Sequence, residues 1–91
     1  MKTPKQILED FRMAAINAGN SSNSKVQNKA ARQMQACYRD LCMTEEGRSG
    51  LIDLMLDSDA GVRLSAAARC LQWVSERAEA ALETLRSTNI F

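Results

Sequence analysis

The sequence has no histidine, and that absence removes several familiar routes to catalysis. A Ser-His-Asp or Cys-His arrangement needs an imidazole to take a proton and give it back, so neither can be assembled. Phosphate-cradling loops are missing as well, since neither G-x-x-x-x-G-K-[ST] nor G-x-G-x-x-G occurs. Proline occurs once, glycine four times, and the aromatics are one Trp, one Tyr and two Phe. A chain so poor in breakers and in β-forming rings favours helices and offers little to a sheet. The three cysteines lack the pattern of a zinc site, because there is no C-x-x-C. The gap between Cys37 and Cys42 turns a helix through about 140°, so their thiols diverge. Their odd number and their place inside helical patterns suit reduced core thiols in a cytoplasmic protein. No apolar run is long enough to span a membrane. The opening MKTPKQILEDF contains acidic residues and no apolar h-region, so a signal peptide is not expected. No metal or cofactor is expected from these residues.

What remains is enough for one domain of 91 residues. Its net charge of +1 conceals an asymmetry. Residues 1–40 carry seven Lys/Arg against three Asp/Glu, a net of +4, and residues 41–91 carry five against eight, a net of −3. Such a dipolar chain is steered by charged partners.

Five helices are predicted. Thr3-Pro4 starts the first, a hydroxyl N-cap followed by proline, and Ile7, Leu8, Phe11, Ala14, Ala15 and Ala18 form its apolar stripe. Gly19 is expected to end it in the left-handed C′ role. The second spans roughly residues 24–43 after a polar loop, with Val26, Ala30, Ala31, Met34, Cys37, Tyr38, Leu41 and Cys42 on one arc. Thr44 caps a third, with Glu45 and Glu46 favourably placed in its first turn and Leu51, Ile52, Leu54, Met55 and Leu56 on its buried side. The fourth begins after the turn DSD, with Asp59 as N-cap, and ends near Trp73 or Val74. Ser75 is expected to cap a fifth to about residue 86, with Ala78, Ala81, Leu82 and Leu85 facing in.

Residues 51–71, LIDLMLDSDAGVRLSAAARCL, read as the centre of this array. At about 100° per residue, Val62, Ala66, Cys70 and Trp73 fill one arc of the fourth helix. Leu64, Ala67, Ala68, Leu71 and Val74 fill another, and a helix apolar over so much of its circumference is expected to pack on two sides. Arg63 falls within the apolar sector, where an unpaired guanidinium is costly. Asp57 and Asp59 are its expected partners, with Asp53 behind them.

The same segment resembles one HEAT-type repeat, in which an apolar helix, an Asp-bearing turn and a second helix opening on Val-Arg and an Ala pair follow one another. Asp59, Val62, Arg63, Ala66, Ala67 and Leu71 match that pattern. Over roughly residues 5–86 the chain further resembles a small bacterial family, domain of unknown function 2019, through Asn28 in SKVQNKAAR and the closing SERAEAALETL. The resemblance implies an all-α, short antiparallel HEAT/armadillo-like right-handed array that binds proteins or nucleic acids, and fold alone does not choose between them. An array with so few repeats also leaves an apolar end face, which implies a homodimer.

Lys25, Lys29, Arg32 and Arg39 line one side of the second helix. The default reading of such a stripe is a solvated face; the functional reading is contact with an acidic protein or with phosphates. Near-neutral pI and the lack of interleaved aromatics favour the protein. Asn28, beside the stripe, is a binding candidate by family resemblance and otherwise a tie between helix and loop. Trp73 reads as core, with a binding anchor as the alternative. The carboxylate pairs Glu45/Glu46 and Asp57/Asp59 read as caps and ion-pair partners in preference to catalytic acids. The reading is therefore a non-enzymatic interaction module, with an immunity- or antitoxin-type protein as one concrete form.

Overall fold

A computed structural model describes residues 2–88, with side chains through Thr84. It contains four α-helices, α1 (Pro4–Gly19), α2 (Ser24–Leu41), α3 (Glu45–Asp53) and α4 (Ala60–Thr88), with a 3₁₀ turn at Leu54–Leu56 between the last two. No strand occurs among the described residues, and no helix there is long and apolar enough to cross a membrane.

The helix starts follow the capping chemistry of the sequence. Thr3 and Gln6 form a reciprocal capping box, the Thr3 hydroxyl accepting from the Gln6 amide and the Gln6 side chain accepting from the Thr3 amide. Asn23 caps α2 by accepting from the Lys25 amide, and Thr44 caps α3 by accepting from the Gly47 amide at 2.9 Å. Asp59 caps α4 through the Val62 amide at 3.0 Å.

Two expectations are corrected. Gly19 is the last residue of α1 and does not take a left-handed conformation; Asn20, also right-handed, follows as the cap. The helix needs no left-handed stop there, because the Asn20 amide satisfies the Ile16 carbonyl.

The second correction concerns Ser75. It starts no new helix, and the segment expected as a fifth helix continues α4. Between Val62 and Thr88 there is neither glycine nor proline to break the backbone. A relay of side chains also spans the expected joint, Arg69 donating to Gln72 and Gln72 donating to Glu76.

The core holds Phe11, Ala14 and Ala15 from α1, Ala30, Met34, Tyr38 and Leu41 from α2, Leu51 from α3, and Val62 and Ala66 from α4. α1 touches all three other helices and lies most extensively along α2. α4 therefore packs on one side only. Val62 and Ala66 are buried and Cys70 and Trp73 half-buried, but Leu64, Leu71 and Val74 face solvent. The element expected to cover them has been drawn into α4 itself; the Leu85 side chain lies outside the described residues. At 1.5 Å per residue α4 is about 44 Å long, which accounts for the elongated 52 × 28 × 25 Å shape. The radius of gyration, 15.2 Å, exceeds the roughly 12 Å of a compact chain this size.

The glycines separate two packing situations. A Cβ on Gly47 would strike the Leu41 backbone, where the start of α3 abuts the end of α2, whereas one on Gly19 meets nothing. Gly47→Ala is thus expected to destabilise the fold by about 1–3 kcal/mol, since backbone must move. Gly19→Ala should stabilise it by up to about 1 kcal/mol through helix propensity. Chemical denaturation of the two variants checks both signs, and a destabilised Gly19→Ala would restore the left-handed reading.

Candidate functional site

α2 buries Ala30, Met34, Tyr38 and Leu41, leaving Val26 and Ala31 of the expected apolar arc exposed, and turns Lys25, Asn28, Lys29, Arg32 and Arg39 outward; all five are exposed. The cations run along about 21 Å of helix at the helical rise. Among the described residues no salt bridge involves any of the four. The stripe predicted from spacing is therefore present as one exposed, unneutralised cationic face. The Asn28 side chain makes no hydrogen bond among the described residues, so it does not tie the loop. Gln27 does that instead, its amide donating to the Ser21 carbonyl at 2.6 Å. Lys29 reaches the rim of a shallow, amide-rich cleft of about 370 Å³ shared with Asn17, Asn20 and Gln33.

The acidic turn before α4 is arranged differently from expectation. Arg63 is exposed and makes no ion pair with the carboxylates; its Nη1 donates to the carbonyls of Asp57 and Ser58 at 2.8 and 3.1 Å. Arg12 takes the ion-pair place, its Nε donating to Asp57 Oδ1 at 3.0 Å across 45 residues of sequence. The other Asp57 oxygen accepts from the Asp59 amide at 2.9 Å. Arg12, assisted by that amide, holds the Asp57 carboxyl below the usual carboxylate range. Asp57, Asp59, Arg63 and Arg12 thus form a structural clasp joining α1 to the α3–α4 connection. The available signal for Arg12 was its place at the edge of the α1 stripe, one turn from Leu8.

A third feature is an apolar groove of about 240 Å³ between α3 and α4, lined by Leu51, Ile52, Met55, Cys70, Trp73 and Val74 among others. Trp73 is half-buried in its wall, and the Arg77 guanidinium stacks 5.0 Å from the ring centroid. Cys37, Cys42 and Cys70 are all free and half-buried, and burial pushes each thiol pKa up. They stay protonated at neutral pH, which makes them poor nucleophiles. No three Cys, Asp or Glu side chains converge on a common point among the described residues. The Tyr38 hydroxyl is buried and makes no hydrogen bond of good geometry among the described residues; burial raises its pKa, and the nearby Cys42 and Glu76 add to the shift.

No family profile, curated protein or solved structure gives a significant match to the chain.

The clasp makes an acid-sensitivity prediction. A carboxylate whose folded pKa lies below its unfolded value of about 3.9 contributes stability above that value and loses it as pH falls through the folded pKa. Asp57→Asn should therefore lower the melting temperature at pH 7, and the gap to wild type should narrow below about pH 4. A gap that stays constant from pH 7 into acid would remove Asp57 from the ion-pair account.

Proposed function

We propose that this chain is a non-enzymatic protein-binding module of the bacterial cytoplasm, and that the outer face of α2 docks an acidic protein surface. One observation carries the reading: Lys25, Lys29, Arg32 and Arg39 stand exposed along one helix face, and no salt bridge among the described residues involves any of them. Cations arranged this way raise the local concentration of acidic partners and set binding register. Asn28, exposed beside them, adds an amide able to donate and accept.

A HEAT-like array related to domain of unknown function 2019 is the architecture we propose for this module. Its support is the pairing of α3 with α4 through a turn in which Asp59 caps Val62 and Arg63 closes on the turn carbonyls. Masking of a partner's active site, as an immunity or antitoxin protein does, suits a small module without a reactive centre.

Nucleic acid is the weaker reading, because the α2 face offers no stacking platform. Tyr38 is buried and Trp73 lies on the α3–α4 side. The test is capture from a bacterial lysate with wild type and with the Arg32→Glu/Arg39→Glu pair, at low and at high salt. The expected result is one stoichiometric protein, retained by wild type and released at least about tenfold more readily by the variant. Unchanged retention by the variant would remove α2 from the interface, and capture of salt-labile nucleic acid would replace the protein reading.

A further inference from the structure

We propose that α4 pairs antiparallel with α4 of a second copy of this chain, forming a closed two-fold dimer on a surface separate from α2. The face in question is the side of α4 left exposed by the other helices among the described residues. Leu64, Leu71, Val74 and Leu82 are 74, 70, 56 and 56 % exposed. Leu64, Ala67, Leu71, Val74, Ala78 and Ala81 lie within about 100° of one another around the helix, and Ala68 and Leu82 widen the arc on one side. Three charged positions stand at the margins of that wider arc: Arg63, whose head is turned back onto the Asp57 and Ser58 carbonyls, and Glu79 and Arg86 at its Ala68 and Leu82 edge. From Ser75 through Thr84 every residue is exposed, so this half of α4 extends beyond the other helices.

The spacing identifies the occupant. Leu64, Leu71 and Ala78 recur every seven residues, and Ala67, Val74 and Ala81 recur every seven, offset by three. That is the seam of a helix pair. With the two-fold axis level with residue 76, Leu71 faces the partner's Ala81 and Val74 faces the partner's Ala78. Beside the seam, Ala68 meets the partner's Leu82. Each contact sets a large side chain on a small one, the condition for close interdigitation. A parallel pair would place Leu71 on Leu71 and Ala78 on Ala78, crowding one layer and emptying the next.

The antiparallel register also lays the overhang of each chain along the braced half of the other, so both unsupported ends are covered by one interface. Such a contact is isologous and closes on itself. Arg77 would otherwise approach its twin near the axis, but its stacking on Trp73 draws it back over its own chain. At this register residues 64–88 overlap, a strip about 37 Å long and about 11 Å wide, roughly 400 Å² per chain. A total of about 800 Å² lies at the small, transient end of specific interfaces, so a weak, reversible, concentration-dependent dimer is expected.

The experiment is light scattering or sedimentation of the full chain from about 10 µM to about 1 mM, with three variants. Wild type should rise with concentration from 10.1 kDa toward twice that mass and stop there. Leu71→Lys and Ala81→Glu, each at an exposed position, should keep their helicity and raise the dissociation constant roughly ten- to a hundredfold. Combined, they should restore the dimer, because Lys then faces Glu across the axis only in the antiparallel register. A wild type that stays monomeric throughout would overturn the proposal. So would single variants that associate normally, a combined variant that is not rescued, or growth beyond the dimer.

Discussion

Phe11 is fully buried in a single core to which all four helices contribute. In so small a chain, with few large side chains, one wholly desolvated ring is a large share of the apolar area available to hold the fold. α1, which carries the ring, contacts all three other helices and lies most extensively along α2. The Arg12–Asp57 pair next to it fixes the angle at which the acidic turn meets α1. Truncating the ring would leave the helices little in common to pack around. The small residues Ala14, Ala15, Ala30 and Ala66 extend the same centre by letting the helix backbones approach.

Most of the local structure was legible because it depends on local chemistry. Thr3-Pro4, Thr44 and Asp59 act within a few residues of themselves, and each caps the helix it was expected to cap. The basic stripe was legible for the same reason, since four spacings along one helix decide which way its side chains point. Tertiary choices were much less visible. The arc of Leu64, Leu71 and Val74 reads identically whether a neighbour covers it or water does, and only the unbroken run of α4 through Ser75 decides between them. Arg63 lies in a sector that is apolar by sequence, but it is a first-turn residue, so it can turn its head back onto the carbonyls of the preceding turn. Arg12 pairs over 45 residues, a separation at which periodicity carries no information. Ser75 was read as a cap on its type alone, while the unbroken helix formers around it favoured continuation.

Charge and apolar surface are segregated on the molecule. The unneutralised cations lie on α2, and the uncovered leucines lie on α4 together with an acidic ridge of Glu76, Glu79 and Glu83. The two surfaces follow different physics. The first acts at range and is screened by salt, and the second acts only on contact and gains nothing from steering. A module built this way can use one face without engaging the other, and its clasped acidic turn and protonated thiols are left to structure.

The one-sided bracing of α4 has a consequence for how the protein moves. Its first half is anchored by Val62 and Ala66, so opening there requires disrupting the shared core. Residues 75–84 are all exposed and contribute nothing to the buried core among the described residues. An isolated helix of that length is marginal in water. It would exchange with coil within about a microsecond. Amide protons should therefore show a gradient of protection that falls along a single continuous helix, steep near Val74 where the core ends. Any contact made by the outer half carries an ordering cost that the inner half has already met through folding.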